Sequence, residues 1–110
     1  KALRKNNFVM LHINGADECA HDKNPKGKKE LIEKVDRIVF SKIIKLKHIN
    51  IVVTSDHITS SKTGMHVKGD VPFLIYSPEE NIDVTRSFSE HMKKDFATDN
   101  PMKKILLKTR

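Results

Sequence analysis

The sequence predicts an α/β fold, and three observations carry that expectation. A short apolar run, "NFVMLHI", is followed by a long stretch with helical periodicity and then by a β-branched run, "INIVVTS". The order strand, helix, strand is that of a βαβ unit, whose two strands lie parallel with a right-handed crossover. A third apolar run, "VPFLIYS", adds a further strand.

Residues 7–13 carry apolar side chains on both alternating faces, as in a strand buried within a sheet covered on both sides. From 28 to 48, apolar residues fall at 31, 32, 35, 38, 39, 43, 44 and 46. That spacing predicts a long amphipathic helix, introduced by Pro25 and Gly27 and broken near Ser41. Residues 49–55 read as the second buried strand and 71–77 as the third. The third follows a loop of about fifteen residues without an obvious helix, which leaves its direction open. Beyond Pro78 the pattern weakens, with a helix expected over 86–96 and a short element over 102–108. There is no internal repeat and no low-complexity linker.

At 110 residues the chain is one domain at most, spanning 1–110. Its 37% hydrophobic content and absence of any tract of ~18 apolar residues or signal-like leader predict a cytoplasmic protein with no membrane partner. The single cysteine, Cys19, leaves no internal disulfide to form and fits a reducing compartment. The chain opens on Lys1, and "KALRKNN" has no cap or turn pattern that starts a domain, so a piece of a longer protein is expected. A formal net charge of +7 favours acidic partners. Aromatics at 5% are too few to interleave with the lysines as stacking platforms, so no nucleic-acid partner is expected.

Ligands of open α/β sheets collect outside the carboxyl ends of the strands. "ADECAHD" follows the first predicted strand and "SDHITSSKTGMH" the second, so parallel neighbouring strands would open both loops on one sheet edge. Together they hold Asp17, His21, Asp56, His57 and His66, an imidazole and carboxylate set suited to zinc or manganese. Asp17 and His21 stand four apart, so one helical turn or a tight loop would let both face one ion. Gly64 gives the second loop freedom to fold back and bring His66 to the set.

The ordered pattern "HINGADECAHDKNPKGKKELIEKVDRIV" then "IVVTSDHITSSKTGMHVKGDVPFLIYSP" resembles the carboxyl-terminal part of the archaeal-type cofactor-independent phosphoglycerate mutases of the alkaline phosphatase superfamily. A weaker echo stands in "RSFSEH", at 86–91. The resemblance implies a three-layer αβα alkaline-phosphatase-like sheet containing the βαβ unit and the further strand. It implies two divalent metal ions, manganese or zinc foremost, magnesium or cobalt as alternatives. Asp17, His21 and His66 match the family's ligands to one metal, and Asp56 and His57 match ligands to the second. The implied reaction interconverts 3-phosphoglycerate and 2-phosphoglycerate through a phosphoserine in glycolysis and gluconeogenesis. In the family, the serine nucleophile and a further aspartate ligand come from an amino-terminal segment. No catalytic residue is therefore expected in this chain, its partner being the amino-terminal part of the same protein, and the fragment alone is expected to be inactive. Ser55, Ser60 and Ser61 do not align with the nucleophile.

The remaining polar residues have plainer readings. Glu18 and Asp22 are expected as exposed loop carboxylates, Cys19 as packing inward, and His12 as an interior or supporting histidine. His48 is expected at a helix carboxyl end, His91 on a surface helix, and Lys62 and Lys68 as solvated. Two alternatives stay open: another phosphomutase or phosphatase of the superfamily, and a non-catalytic basic module that binds metal or anions.

Overall fold

The computed structural model describes residues 2–78. After a 3₁₀ turn at Ala2–Arg4, the chain runs without regular secondary structure to α1, Gly15–His21. Two backbone bonds close α1, from the Asn24 N–H to the Cys19 carbonyl and from the Lys23 N–H to the Ala20 carbonyl, with Lys23 at φ 53°. This is the left-handed helix end usually built with glycine. It reverses the chain directly into α2, Pro25–Val35. The Asn24 side chain caps α2 by accepting from the Gly27 N–H at 2.9 Å, and Pro25 fills a first-turn position where no N–H is needed. α1 and α2 then pack together at Gly15, where a Cβ would stand 3.0 Å from a Leu31 methyl.

The predicted long helix starts at Pro25 and ends at Ile43, short of His48. A π-helical segment, Asp36–Phe40, precedes α3, Ser41–Ile43, and the Ser41 hydroxyl donates back to the Arg37 carbonyl. The break expected near Ser41 is a local widening and not an interruption, beside a serine that bonds back into the helix. His48 lies beyond the helix end, exposed and at φ 58°.

β1, Ile51–Thr54, pairs antiparallel with β4, Phe73–Tyr76, in the register Ile51 to Tyr76 through Thr54 to Phe73. The direction left open by the sequence is therefore antiparallel. The intervening loop holds a small hairpin that periodicity could not detect, β2, Ile58–Thr59, against β3, His66–Val67.

One expectation is corrected. Residues 7–13 form no ladder among the described residues, and the parallel βαβ pair is not made. The segment is irregular and exposed, with Met10 79% and Leu11 62% exposed. A strand is stable only when its backbone N–H and C=O groups find a neighbour, and β1 is paired here with β4 alone. His12, expected in the interior, is exposed on the same segment. The observed architecture is thus mixed helix and strand, with Ala20 fully buried and Thr59 5% exposed at its centre. No described helix is long and apolar enough to cross a membrane. The expected helix at 86–96, the element at 102–108 and His91 lie outside the described residues.

Gly64 is the position whose backbone most constrains this arrangement. It has φ 72°, and a Cβ there would stand 2.8 Å from the His21 carbonyl oxygen. Gly64→Ala is expected to lower the unfolding free energy by about 1–3 kcal/mol in urea titration; no loss would show that the turn can adopt another conformation.

Candidate metal centre

α1 and the β2–β3 hairpin, some forty residues apart in sequence, bring the candidate side chains together. On α1, Asp17 and His21 share one face, with His21 Nε2 3.4 Å from Asp17 Oδ1. Asp17 lies in the first turn, the end a carboxylate's charge favours, and His21 in the last. From the hairpin, His66 Nε2 comes to 3.3 Å from His21 Nε2. Its ring also lies against that of His57, with centroids 4.2 Å apart.

The hairpin owes its shape to short-range hydrogen bonds. Ser60 Oγ accepts from the N–H groups of Lys62 and Thr63, a serine-directed turn. The Gly64 N–H closes the loop onto the Ser60 carbonyl at 2.7 Å. The Gly64 carbonyl then takes a hydrogen bond from His21 Nδ1 at 2.8 Å. A carbonyl can only accept, so Nδ1 carries the proton and the Nε2 lone pair of a neutral His21 faces Asp17 and His66.

This donor set fits a divalent cation. With ligand bonds of 2.0–2.1 Å, two donors on a tetrahedral ion stand roughly 3.3 Å apart. The Asp17–His21 and His21–His66 separations, 3.4 and 3.3 Å, are of that size. Donor atoms of Asp17, His57 and His66 also lie within 4.8 Å of one another. Asp56 stands apart from this group. Its side chain is 72% exposed, its Oδ1 accepts the His57 backbone N–H at 3.1 Å, and its Oδ2 lies 3.6 Å from His57 Nε2. Asp56 is thus joined to the cluster only through His57, which itself belongs to it.

Two participants escaped the sequence reading. The Thr59 hydroxyl donates to Asp17 Oδ1 at 2.6 Å and contacts His57 Nδ1 at 3.1 Å. The signal available was its place two residues after His57, on the same face of an extended chain. The role of the Gly64 carbonyl had no signal in the sequence, being a matter of backbone orientation. Of the residues given plainer readings, Glu18 and Asp22 are exposed, Lys62 and Lys68 likewise, and Cys19 is half-buried. Glu18 accepts from the Asn14 side-chain amide at 3.0 Å.

The Thr59 hydrogen bond is the main influence holding the Asp17 carboxyl below its ordinary range. Partial burial opposes it, and His21, His57 and His66 add to the lowering when charged.

The family model described as "Metalloenzyme superfamily" matches residues 1–105. The chain is 40% identical over 83 residues to the 2,3-bisphosphoglycerate-independent phosphoglycerate mutase of Methanobrevibacter smithii, covering 76% of this chain and 20% of that protein. It is 37% identical over 83 residues to the Pyrobaculum islandicum enzyme of the same name, with the same coverage. With that of Thermococcus gammatolerans it shares 40% over 90 residues, 80% of this chain and 22% of that protein. The chain therefore spans about one fifth of the length of these curated relatives. No solved structure matches it.

The lowered Asp17 pKa fixes the sign of a pH effect. The folded state resists protonation of this carboxyl, so its stabilisation is complete above the unfolded-state pKa and is lost as pH falls through the folded one. The stability difference between the metal-free protein and its Asp17→Asn variant should narrow as pH falls below about 4. Urea midpoints from pH 6 downward measure it, and a constant difference would contradict the assignment.

Proposed function

The chain belongs to the Metalloenzyme superfamily, and on that premise we propose that it is the metal-ligating segment of a cofactor-independent phosphoglycerate mutase, interconverting 3-phosphoglycerate and 2-phosphoglycerate through a phosphoserine. The observation that carries this reading is the placement of His21 Nε2 3.4 Å from Asp17 Oδ1 and 3.3 Å from His66 Nε2, beside the Asp17, His57 and His66 donor atoms that lie within 4.8 Å of one another. These are the residues that would hold one ion, with Asp56 and His57 as ligands to a second. A mixed carboxylate and imidazole set suits zinc or manganese better than a hard cation that demands oxygen alone. Bound there, divalent ions would supply Lewis-acid polarisation of a phosphoryl group and neutralise charge as it is transferred.

The chain's own residues prepare that role. The Gly64 carbonyl keeps the His21 proton on Nδ1, away from the cluster. The Thr59 hydroxyl, donating to Asp17 Oδ1 at 2.6 Å, holds the Asp17 carboxylate in place beside the histidines. A net charge of +7 favours the approach of a phosphorylated, carboxylate-bearing substrate.

The serine nucleophile and the remaining aspartate ligand would come from a part of the protein outside these residues. The same reading gives the solvated run 7–13 a place as an interior strand of a three-layer αβα sheet. Its support is the row of exposed apolar side chains, Phe8, Val9, Met10, Leu11 and Ile13. A glycolytic role places the protein in the cytoplasm.

The test uses the full-length protein. It should convert 3-phosphoglycerate to 2-phosphoglycerate, lose activity to a chelator, and regain it with manganese or zinc. His66→Ala should weaken metal binding by more than about 100-fold, beyond the effect typical of a mere supporting residue. The isolated 110 residues should bind metal weakly without turnover. Hydrolysis of a generic phosphomonoester in place of the isomerisation would assign the protein to another branch of the superfamily. Turnover that survives both the chelator and His66→Ala would overturn the metal-ligand assignment.

A further inference from the structure

Thr59 is the buried polar side chain at the centre of the described residues, 5% exposed, and both edges of its hydroxyl are engaged. A threonine hydroxyl has one proton to give. At 2.6 Å from Asp17 Oδ1 that proton must point at the carboxylate, which has none to offer in return. What the oxygen presents to His57 Nδ1, 3.1 Å away, is therefore a lone pair, and a hydrogen bond there requires the proton to sit on Nδ1. The relay runs in one direction, from His57 Nδ1–H to Thr59 Oγ1 and from the Thr59 hydroxyl to Asp17 Oδ1.

From this geometry we propose that Thr59 is a positioning residue: it locks His57 in the Nδ1–H tautomer, so that Nε2 keeps its lone pair for a cation, and it couples the Asp56–His57 pair to Asp17. A free neutral imidazole side chain favours the opposite tautomer, with the proton on Nε2. Without the Thr59 acceptor, His57 would relax toward the form that cannot bind metal through Nε2. The threonine is itself held. Its backbone carbonyl accepts from Lys28 Nζ at 3.1 Å, and β2–β3 pairing sets Thr59 opposite His66. The backbone that carries the hydroxyl is therefore anchored on both sides. Gly64 does for His21 with a carbonyl what Thr59 does for His57 with a hydroxyl, so the two histidines are oriented by the same short hairpin.

The metal-affinity part of this proposal rests on the mutase reading, whereas the tautomer part does not, and the experiment separates them. In the metal-free full-length protein, long-range ¹H–¹⁵N correlation spectra report which ring nitrogen of His57 carries the proton. Nδ1–H is expected in the wild type and in Thr59→Ser, with a shift toward Nε2–H in Thr59→Val. Zinc titration should show the weaker of two sites losing roughly 10- to 100-fold in affinity in Thr59→Val and recovering it in Thr59→Ser. If the valine variant does not fold, Thr59→Ala supplies the same comparison. An unchanged His57 tautomer in a folded Thr59→Val or Thr59→Ala variant overturns the proposal, as does unchanged affinity alongside a switched tautomer. A switched tautomer in a protein whose wild type binds no metal supports the relay and overturns the mutase reading alone.

Discussion

The hydrogen bond from the Thr59 hydroxyl to the Asp17 carboxylate, 2.6 Å long and spanning forty-two positions of sequence, is the contact on which the rest of the centre depends. A charged acceptor makes it roughly twice as strong as a neutral pair. It ties the first turn of α1 to β2, while the His21 to Gly64 hydrogen bond ties the last turn of α1 to the hairpin loop. With both ends of one short helix fixed to one short hairpin, His66 and His57 have little choice but to face Asp17 and His21. The i to i+4 pairs on α2, Lys26 with Glu30 and Lys29 with Glu33, are exposed and each contribute at most about 0.5 kcal/mol. The long-range contacts at Thr59 and Gly64, not those surface pairs, determine the geometry of the centre.

The site is more finished than the core around it. Beyond Ala20 and Thr59 the described side chains are half-buried or exposed, and none of the large ones is fully enclosed. Phe8, Met10 and Leu11 are each more than half exposed. Full burial of such a side chain would contribute about 1.5–3 kcal/mol. That unrealised burial, together with coverage of about one fifth of the relatives' length, is what supports the proposal that the run 7–13 is a strand completed by a longer protein.

What the sequence disclosed followed from periodicity. The four-residue step from Asp17 to His21 needed only a helix to become a shared face, and α1 supplied it. The β-branched run at 51–54 became a strand, and Pro25 opened a helix as its fixed φ predicts. What stayed hidden was pairing. Residues 7–13 have a strand's composition, but composition does not say which neighbour completes a ladder. The two-residue strands β2 and β3 are too short to show alternation at all. Thr59 offered only its place two residues after His57, and the Gly64 carbonyl nothing: hydrogen bonding to a ligand's far side depends on tertiary approach, to which composition gives no clue.

The central claim is that Asp17, His21 and His66 share one ion. Anomalous scattering at a metal absorption edge, from crystals of the full-length protein loaded with zinc or manganese, locates that ion directly. The account predicts a peak bonded to Asp17 Oδ1, His21 Nε2 and His66 Nε2 at about 2.0–2.2 Å. A loaded protein whose anomalous peaks all lie away from these three atoms would contradict it.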